Sequence, residues 1–332
     1  TRNFTFNTVE STDSTLKMRL PFAQDSYIEY AYYLPQDSYE VKFDFNLVNM
    51  DQYISKNARN FDVTWKLDIP RLEKGYDNER NYSTVDFKYP NDEDVENLGL
   101  RKESASKEIT TKVSWFAFQQ QFFSAILDAE NDFEGGDLSF AFFKENDPHK
   151  NLMQCNANMQ VAYTPAESVT IPFSFYFGPN HFKTLKSYGE GYEKIVPLGG
   201  WLVGWINRWV IIPIFDFFNN SIANYGIIIL IMTLLLKLVI SPLTIKSFVS
   251  SAKMKVIKPE IDKINAKYPK QEDAMKKQQE TMDLYKKSGI SMFGGCLPML
   301  LQFPVLFAMF RFFPASFELR QQPFLWVEDL SS

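Results

Sequence analysis

Residues 227–244 read IIILIMTLLLKLVISPLT, an apolar run in which Lys237 is the one charged side chain. A cation at the centre of a membrane-spanning helix costs ~2.5–3.5 kcal/mol on insertion scales, so such a residue has a partner or a task. Lys237 lies nine residues, ~14 Å of helix, before Lys246 and sixteen, ~24 Å, after Ser221. That places it in the half of the span nearer Lys246. At 3.6 residues per turn, Gly226, Thr233, Lys237, Ser241 and Thr244 share a sector of about 80°. A polar stripe on a helix otherwise made of Ile and Leu suits the wall of a hydrated groove. Its chemistry is attraction and hydrogen bonding toward an anionic group, with no bond made or broken. Two other readings stay open: the ammonium snorkels to the cytoplasmic surface, or it pairs with an acid on a span outside this chain. A second apolar segment, 296–313, offers only Gln302 and Arg311 as polar partners, and Arg311 falls near its outer end.

The rest of the chain must position this stripe. It has 332 residues, enough for more than one domain. Residues 1–199 carry 20 Lys/Arg against 30 Asp/Glu; the remainder carries 15 against 10. The acidic part has no long apolar run, and it reads as sheet. In 61–69 (FDVTWKLDI), Phe61, Val63, Trp65, Leu67 and Ile69 alternate with polar residues, and 41–47 (VKFDFNL) does the same. Strict alternation predicts half-buried antiparallel strands. Further strands are expected near 137–143, 159–164 and 169–177. Turn residues separate them at Glu134-Gly135-Gly136-Asp137, Asn146-Asp147-Pro148 and Gly178-Pro179-Asn180. Residues 113–130 (VSWFAFQQQFFSAILDAE) read as a helical insert in a β-sandwich with few helices.

From Leu198 the pattern changes. Trp201, Trp205 and Trp209 recur every four residues along one helix face, as interfacial anchors do, because the Trp ring is apolar while its N–H wants water. An ordinary core helix is the competing reading. One span is expected over 221–245 and a second over 291–314, where Pro298 and Pro304 need neighbours to satisfy the freed carbonyls. Between the spans, 246–289 holds 11 Lys and 6 acids. Lys-rich short loops stay in the cytoplasm, which puts the acidic sandwich outside. That loop reads as a helical hairpin broken at Tyr268-Pro269, with Pro259 a start or a kink. Ile257, Ile261, Ile264 and Tyr268 form one stripe, answered by Met275, Met282 and Tyr285. Its charge is either a solvated face or a docking arm for anionic partners such as ribosomal RNA or lipid headgroups.

Two cysteines, Cys155 and Cys296, imply no disulfide framework. The sequence carries no Cys/His cluster, no Gly-rich phosphate loop and no basic–aromatic nucleic-acid pattern. Neither a metal, a cofactor, DNA nor a small-molecule substrate is therefore expected. His149 and His181 stand beside turn residues and make weak catalytic candidates. The chain starts Thr1-Arg2-Asn3 without methionine, so a fragment or processed product is expected.

Several of these stretches carry a family pattern. Asn224-Tyr225-Gly226, the run to Lys237 and Ser241-Pro242-Leu243-Thr244 resemble the first core span of the YidC/Oxa/Albino membrane protein insertases. Ala252-Lys253-Met254, Gly294-Gly295-Cys296-Leu297-Pro298, Gln302-Phe303-Pro304 and Glu318-Leu319-Arg320-Gln321 fit the same pattern. Phe118-Gln119-Gln120-Gln121-Phe122 and Gly178-Pro179 resemble parts of the large periplasmic domain of Gram-negative members.

The resemblance implies an all-β periplasmic supersandwich followed by an α-helical transmembrane core with a cytoplasmic hairpin. The implied boundaries are 1–196 for the sandwich, 197–220 for the interfacial helix, 221–245 and 291–314 for the spans, 246–290 for the hairpin and 315–332 for an outer segment. It implies a multi-pass protein of the bacterial inner membrane that is no enzyme but inserts and chaperones nascent membrane proteins. Implied partners are those substrates, the lipid bilayer, the Sec translocon (SecYEG, SecDF) and the ribosome. The implied groove carries one cation, commonly arginine, here Lys237, with Thr233, Ser241 and Gln302 beside it. Leu301, Phe303 and Phe307 would form an apolar slide. The family core has five spans plus an anchor, so a two-span chain alone is expected to be inactive. A membrane-anchored sensor with a ligand-binding sandwich is the rival class, and a sugar-processing enzyme in the outer domain a third.

Overall fold

A computed structural model describes residues 4–269, 273–289 and 297–331, with backbone alone at 243, 251 and 297–301. Contacts divide the chain into two compact units, Thr1–Pro197 with Ala315–Phe317 and Leu198–Pro314 with Glu318–Ser331.

The first unit is built from antiparallel strands: β1 (Asn7–Ser11), β2 (Thr15–Ala23), β3 (Ser26–Tyr33), β4 (Glu40–Val48), β5 (Asn60–Pro70) and β6 (Thr84–Lys88). After them come β7 (Glu96–Asn97), β8 (Ser104–Ile109), β9 (Val113–Gln119), β10 (Phe123–Phe142), β11 (Asn151–Ala162) and β12 (Ser168–Pro179). One layer runs β1-β2-β3-β4-β12-β10-β9-β6-β7. The 20-residue β10 belongs to a second set as well. Its first part pairs with β9 and β12, and its second part pairs with β8 and β11, which in turn carries β5. Alternation survives where expected: along β5 the apolar residues turn inward while Asp62, Thr64, Lys66 and Asp68 stay exposed.

Two expectations fail here. Residues 113–130 form no helix; β9 and the start of β10 make a hairpin turned by Gln120-Gln121-Phe122. Every side chain from Trp115 to Phe122 is buried, so neither strand face meets solvent and period-two alternation disappears. Second, two expected turns hold strand residues: Glu134-Gly135-Gly136-Asp137 lies within β10, and Gly178-Pro179 ends β12, paired with Ser124 and Phe123. A Cβ at Gly135 would meet the Ile109 carbonyl oxygen at 2.4 Å, and one at Gly136 would meet that of Asn158 at 2.2 Å. The glycines let three strands approach closely while the register shifts between Phe133 and Gly135. The core collects Phe87, Phe116, Phe118, Phe133, Leu138, Met159 and Phe173, with Trp65 packed on Phe118 at 4.8 Å.

The glutamine run closes this unit. Gln119 Nε2 donates to the Ile195 carbonyl at 3.0 Å and Gln120 Nε2 to that of Pro70 at 2.8 Å, while the Asn180 amide donates to the Gln120 carbonyl at 2.8 Å. Two short helices, α1 (Tyr76–Asn81) and α2 (Phe182–Ser187), flank it.

The second unit is helical. α3 (Trp201–Ile206) passes through a π-turn, Asn207–Ile211, into α4 (Ile212–Asn219). The Asn207 side chain is fully buried and its Nδ2 donates to the Leu198 carbonyl at 2.7 Å, fastening the entry of α3. α5 (Tyr225–Lys267) then runs 43 residues, ~64 Å, with Pro242 and Pro259 inside it. No helix break falls at 245–246, and Pro259 neither starts nor ends an element. α6 (Ala274–Lys287) returns along α5, held by Glu280, which receives Lys267 Nζ at 2.7 Å and the Tyr268 hydroxyl at 2.8 Å. Ile257, Ile261, Ile264 and Tyr268 are half-buried as expected. The return stripe differs: Met275 is 83% exposed and Met282 is exposed, while Thr281, Leu284 and Tyr285 turn inward. In that rotation Glu280 faces Lys267 and Tyr268. α7 (Leu297–Ala315) follows.

Candidate functional site

Asn224 caps α5 by accepting from the Ile227 N–H at 3.2 Å, and the apolar run then sorts around the axis. Ile228, Met232 and Ile240 are buried, whereas Thr233 and Lys237 are exposed and Ser241 and Thr244 half-buried. Thr233 and Lys237 thus lie open and Ser241 and Thr244 half-open, alongside apolar residues of the same run such as Leu234, Leu238 and Val239 that are exposed as well. Gly226 departs from the expected stripe. It is fully buried, and the Phe324 ring lies so close that a Cβ would fall 2.0 Å from Cγ of that ring. Its role is packing rather than polarity.

Hydrogen bonds refine what the stripe can do. Thr233 Oγ1 donates to the Ile229 carbonyl at 2.8 Å and Thr244 Oγ1 to that of Ile240 at 3.1 Å. Each hydroxyl spends its proton on its own helix and presents lone pairs outward. They can accept from a peptide N–H, while the Lys237 ammonium supplies donors and charge. Pro242 adds to the polarity. Having no N–H, it leaves the Leu238 carbonyl without its helical donor, one residue from Lys237. Such a carbonyl at membrane depth is tolerable where water or a neighbouring group reaches it.

On α7, Gln302 is half-buried, and Phe303 and Phe307 are exposed with rings stacked at 5.9 Å. The Leu301 side chain lies outside the described residues, as do Gly294, Gly295 and Cys296. The start of α5 is tied to α7 through Phe215, whose ring lies 6.0 Å from Tyr225 and 5.3 Å from Phe312. Trp201, Trp205 and Trp209 are 89%, 55% and 70% exposed, so the face they share is free among the described residues. By length and composition, Trp201–Asn219 and Tyr225–Pro242 are long and apolar enough to cross a membrane.

The β unit holds a feature that the sequence did not flag: a polar cavity of about 300 Å³ lined by Glu40, Lys42, Asp128, Glu130, Asp132 and Tyr192, among others. Buried Asp128 accepts the Tyr192 hydroxyl at 3.0 Å. These partners lie 64 residues apart and no local pattern links them. Burial holds the Asp128 carboxyl at about 7, against the opposing pull of that hydrogen bond. The folded state therefore keeps a proton that the unfolded chain releases above the ordinary carboxylate range. This group's contribution to stability falls as pH rises from about 4 to 7. Asp128→Asn should raise the melting temperature of the β unit at pH 8 and leave it nearly unchanged at pH 4, read by circular dichroism. His149 and His181 do not line the cavity, and His181 instead bonds Thr184 at 2.7 Å. Among the described residues no cluster of three or more His, Cys, Asp or Glu could hold a metal.

Comparison with known proteins accounts for both units. Residues 2–214 match the family model described as the YidC periplasmic domain, and residues 217–332 match the one described as 60Kd inner membrane protein. The chain belongs to the YidC family. The membrane protein insertase YidC of Bacteroides fragilis is 42% identical over all of this chain, and that of Parabacteroides distasonis is 40% identical. The chain spans about half of those relatives, 54% and 53% of their lengths. YidC insertases are not an enzyme family, and the model matched by residues 217–332 is described as an inner membrane protein. A heparan sulfate lyase from Pedobacter heparinus is also similar, covering 53% of this chain and 22% of its own, at 9% identity and a TM-score of 0.27. That likeness is too slight to carry an argument.

Proposed function

We propose that the protein takes part in inserting nascent membrane proteins into the bacterial inner membrane. In this reading the sandwich is periplasmic, α3–α4 lies in the interface on its tryptophans, and the α5–α6 hairpin is cytoplasmic. The observation that carries it is Lys237, exposed on an apolar helix of a YidC-family chain, with the acceptor hydroxyl of Thr233 one turn before it and that of Thr244 two turns after it. The stripe forms one wall of a wet groove. Its cation draws in the acidic, translocated part of a substrate and offsets part of that segment's desolvation cost. Gln302 adds a hydrogen-bonding group from α7. Leu301, Phe303 and Phe307 give the substrate's apolar part a path into lipid. Helping the inserted segments fold, and working beside the Sec translocon and the ribosome, belong to the same reading.

A photocrosslinker at Thr233 or Ser241 of the complete protein should capture a ribosome-stalled membrane-protein chain. The same probe at Val256, exposed on the hairpin part of α5, should capture much less. Intact insertion with no crosslink at either stripe position would overturn the groove.

A further inference from the structure

The loop that follows α7 ends in a turn whose sequence runs against turn chemistry. The Phe324 N–H donates to the Val327 carbonyl at 2.9 Å and the Val327 N–H to that of Phe324 at 3.0 Å, leaving Leu325-Trp326 as a two-residue tip. Leu325 has φ 53°, at the first central position where such turns ordinarily use glycine. A leucine there is strained. Its side chain is 74% exposed and that of Trp326 85%. Single exposed apolar residues are ordinary on protein surfaces. Two adjacent ones, at a strained tip, are not.

The rest of the loop is built to hold this tip still. Asp329, nearly buried, accepts through one carboxylate oxygen from the Gln321 N–H at 3.0 Å, the Ser331 N–H at 2.9 Å and the Ser331 hydroxyl at 2.7 Å. The Leu330 N–H closes onto the Gln322 carbonyl at 3.0 Å. Phe324, at the base of the turn, packs its ring over Gly226. Gly226 is the second residue of α5, so the tip is fastened at the level where the apolar run begins.

We infer that Leu325-Trp326 is a rigid wedge seated in the interfacial layer of the phospholipid bilayer, on the side where α5 starts. The inference rests on the reading of α5 as a span. Leucine supplies a fully apolar group, and the tryptophan ring pairs an apolar body with an N–H for glycerol or carbonyl oxygens, the composition that favours this layer. Residues 318–331 carry Glu318, Glu328 and Asp329 against Arg320. This acidic balance excludes attraction to anionic headgroups as the driving force and leaves apolar burial. The strain at Leu325 is then compensated by lipid contact, and pre-organisation reduces the entropy lost on seating.

The test attaches an environment-sensitive nitrobenzoxadiazole label to Trp326→Cys in the full chain carrying Cys296→Ala, in vesicles of phosphatidylethanolamine and phosphatidylglycerol. Cys155 can remain, because it is wholly buried and its thiol is pushed far up by burial. Lipid brominated near the glycerol end of its acyl chains should quench the label. Iodide should quench it roughly fivefold less than a label at Glu93→Cys on the sandwich surface. Equal iodide quenching at 326 and 93 overturns the inference. So does shielding from both quenchers, which would mean a protein partner covers the tip. Leu325→Cys repeats the measurement in case the first label disturbs the turn. A third label at Leu238→Cys separates the two readings: deep-brominated lipid must quench it if α5 spans. Quenching at 238 without quenching at 326 sinks the wedge alone.

Discussion

Lys237→Leu in the complete protein should slow insertion of substrates with acidic translocated segments by roughly tenfold to a hundredfold, while making α5 more stable in the bilayer. The two effects have opposite signs because they come from different steps. Removing the ammonium from an apolar helix recovers ~2.5–3.5 kcal/mol of insertion cost. At the same time it deletes the attraction for an incoming carboxylate, worth up to ~4 kcal/mol at 4 Å and an effective dielectric of ~20. Each 1.4 kcal/mol is about a factor of ten, so even partial use of that attraction gives the stated range. Lys237→Arg should keep most of the rate, since guanidinium stays charged and adds a bidentate fork. Substrates with neutral translocated segments should slow little. The assay is insertion of matched acidic and neutral substrates in cells depleted of their own insertase. If Lys237 only snorkels to the cytoplasmic surface, leucine leaves both substrates unaffected, and the groove reading fails.

Lys237 was legible in the sequence because a charge in an apolar run stands out by itself, and helical geometry gave its neighbours Thr233, Ser241 and Thr244. Helical angle alone groups Gly226 with them, yet its neighbour Phe324 lies 98 positions away and no periodicity reports it. The same limit hides Asp128 and Tyr192, which meet only once β10 and the turn after α2 are in place. In the β unit, alternation revealed β4 and β5, where one face is apolar. It vanished in β9 and early β10, where both faces are buried, and a run of aromatic and small residues then imitates a helix. Gly135-Gly136 looked like a turn because glycine permits one. The structure uses their missing Cβ atoms for strand approach instead. On α6, Met275 and Met282 have the right hydrophobicity, but the helix turns Thr281, Leu284 and Tyr285 inward, with Glu280 bonded to Lys267 and Tyr268, and leaves the two methionines outside.

Gly226→Val should release the loop after α7 from α5, with a cost on the order of 1–3 kcal/mol, typical of overpacking a tight contact. A Cβ there would meet Phe324 Cγ at 2.0 Å, Cδ2 at 2.2 Å and Cδ1 at 2.6 Å, distances at which ring or helix must move. All three nearest atoms belong to that ring, and the Phe324 backbone is held in the turn by two hydrogen bonds to Val327, so relief requires the side chain to leave its place over Gly226 or the helix to shift. Gly226→Ala should be milder, since alanine regains up to ~1 kcal/mol of helix propensity over glycine. Phe324→Ala alone should also loosen the loop by removing the ring that fills this space. The double variant should be less damaged than the two single effects added together, because each change removes the cause of the other's clash or void. Limited proteolysis within 318–331 in detergent reads the loop, and a chemical-denaturation midpoint reads the whole protein. Additive effects would mean that valine acts elsewhere along α5. A label at Trp326→Cys in the Gly226→Val background should also become more accessible to iodide, because a tip no longer fastened at the start of the helix cannot stay seated in lipid.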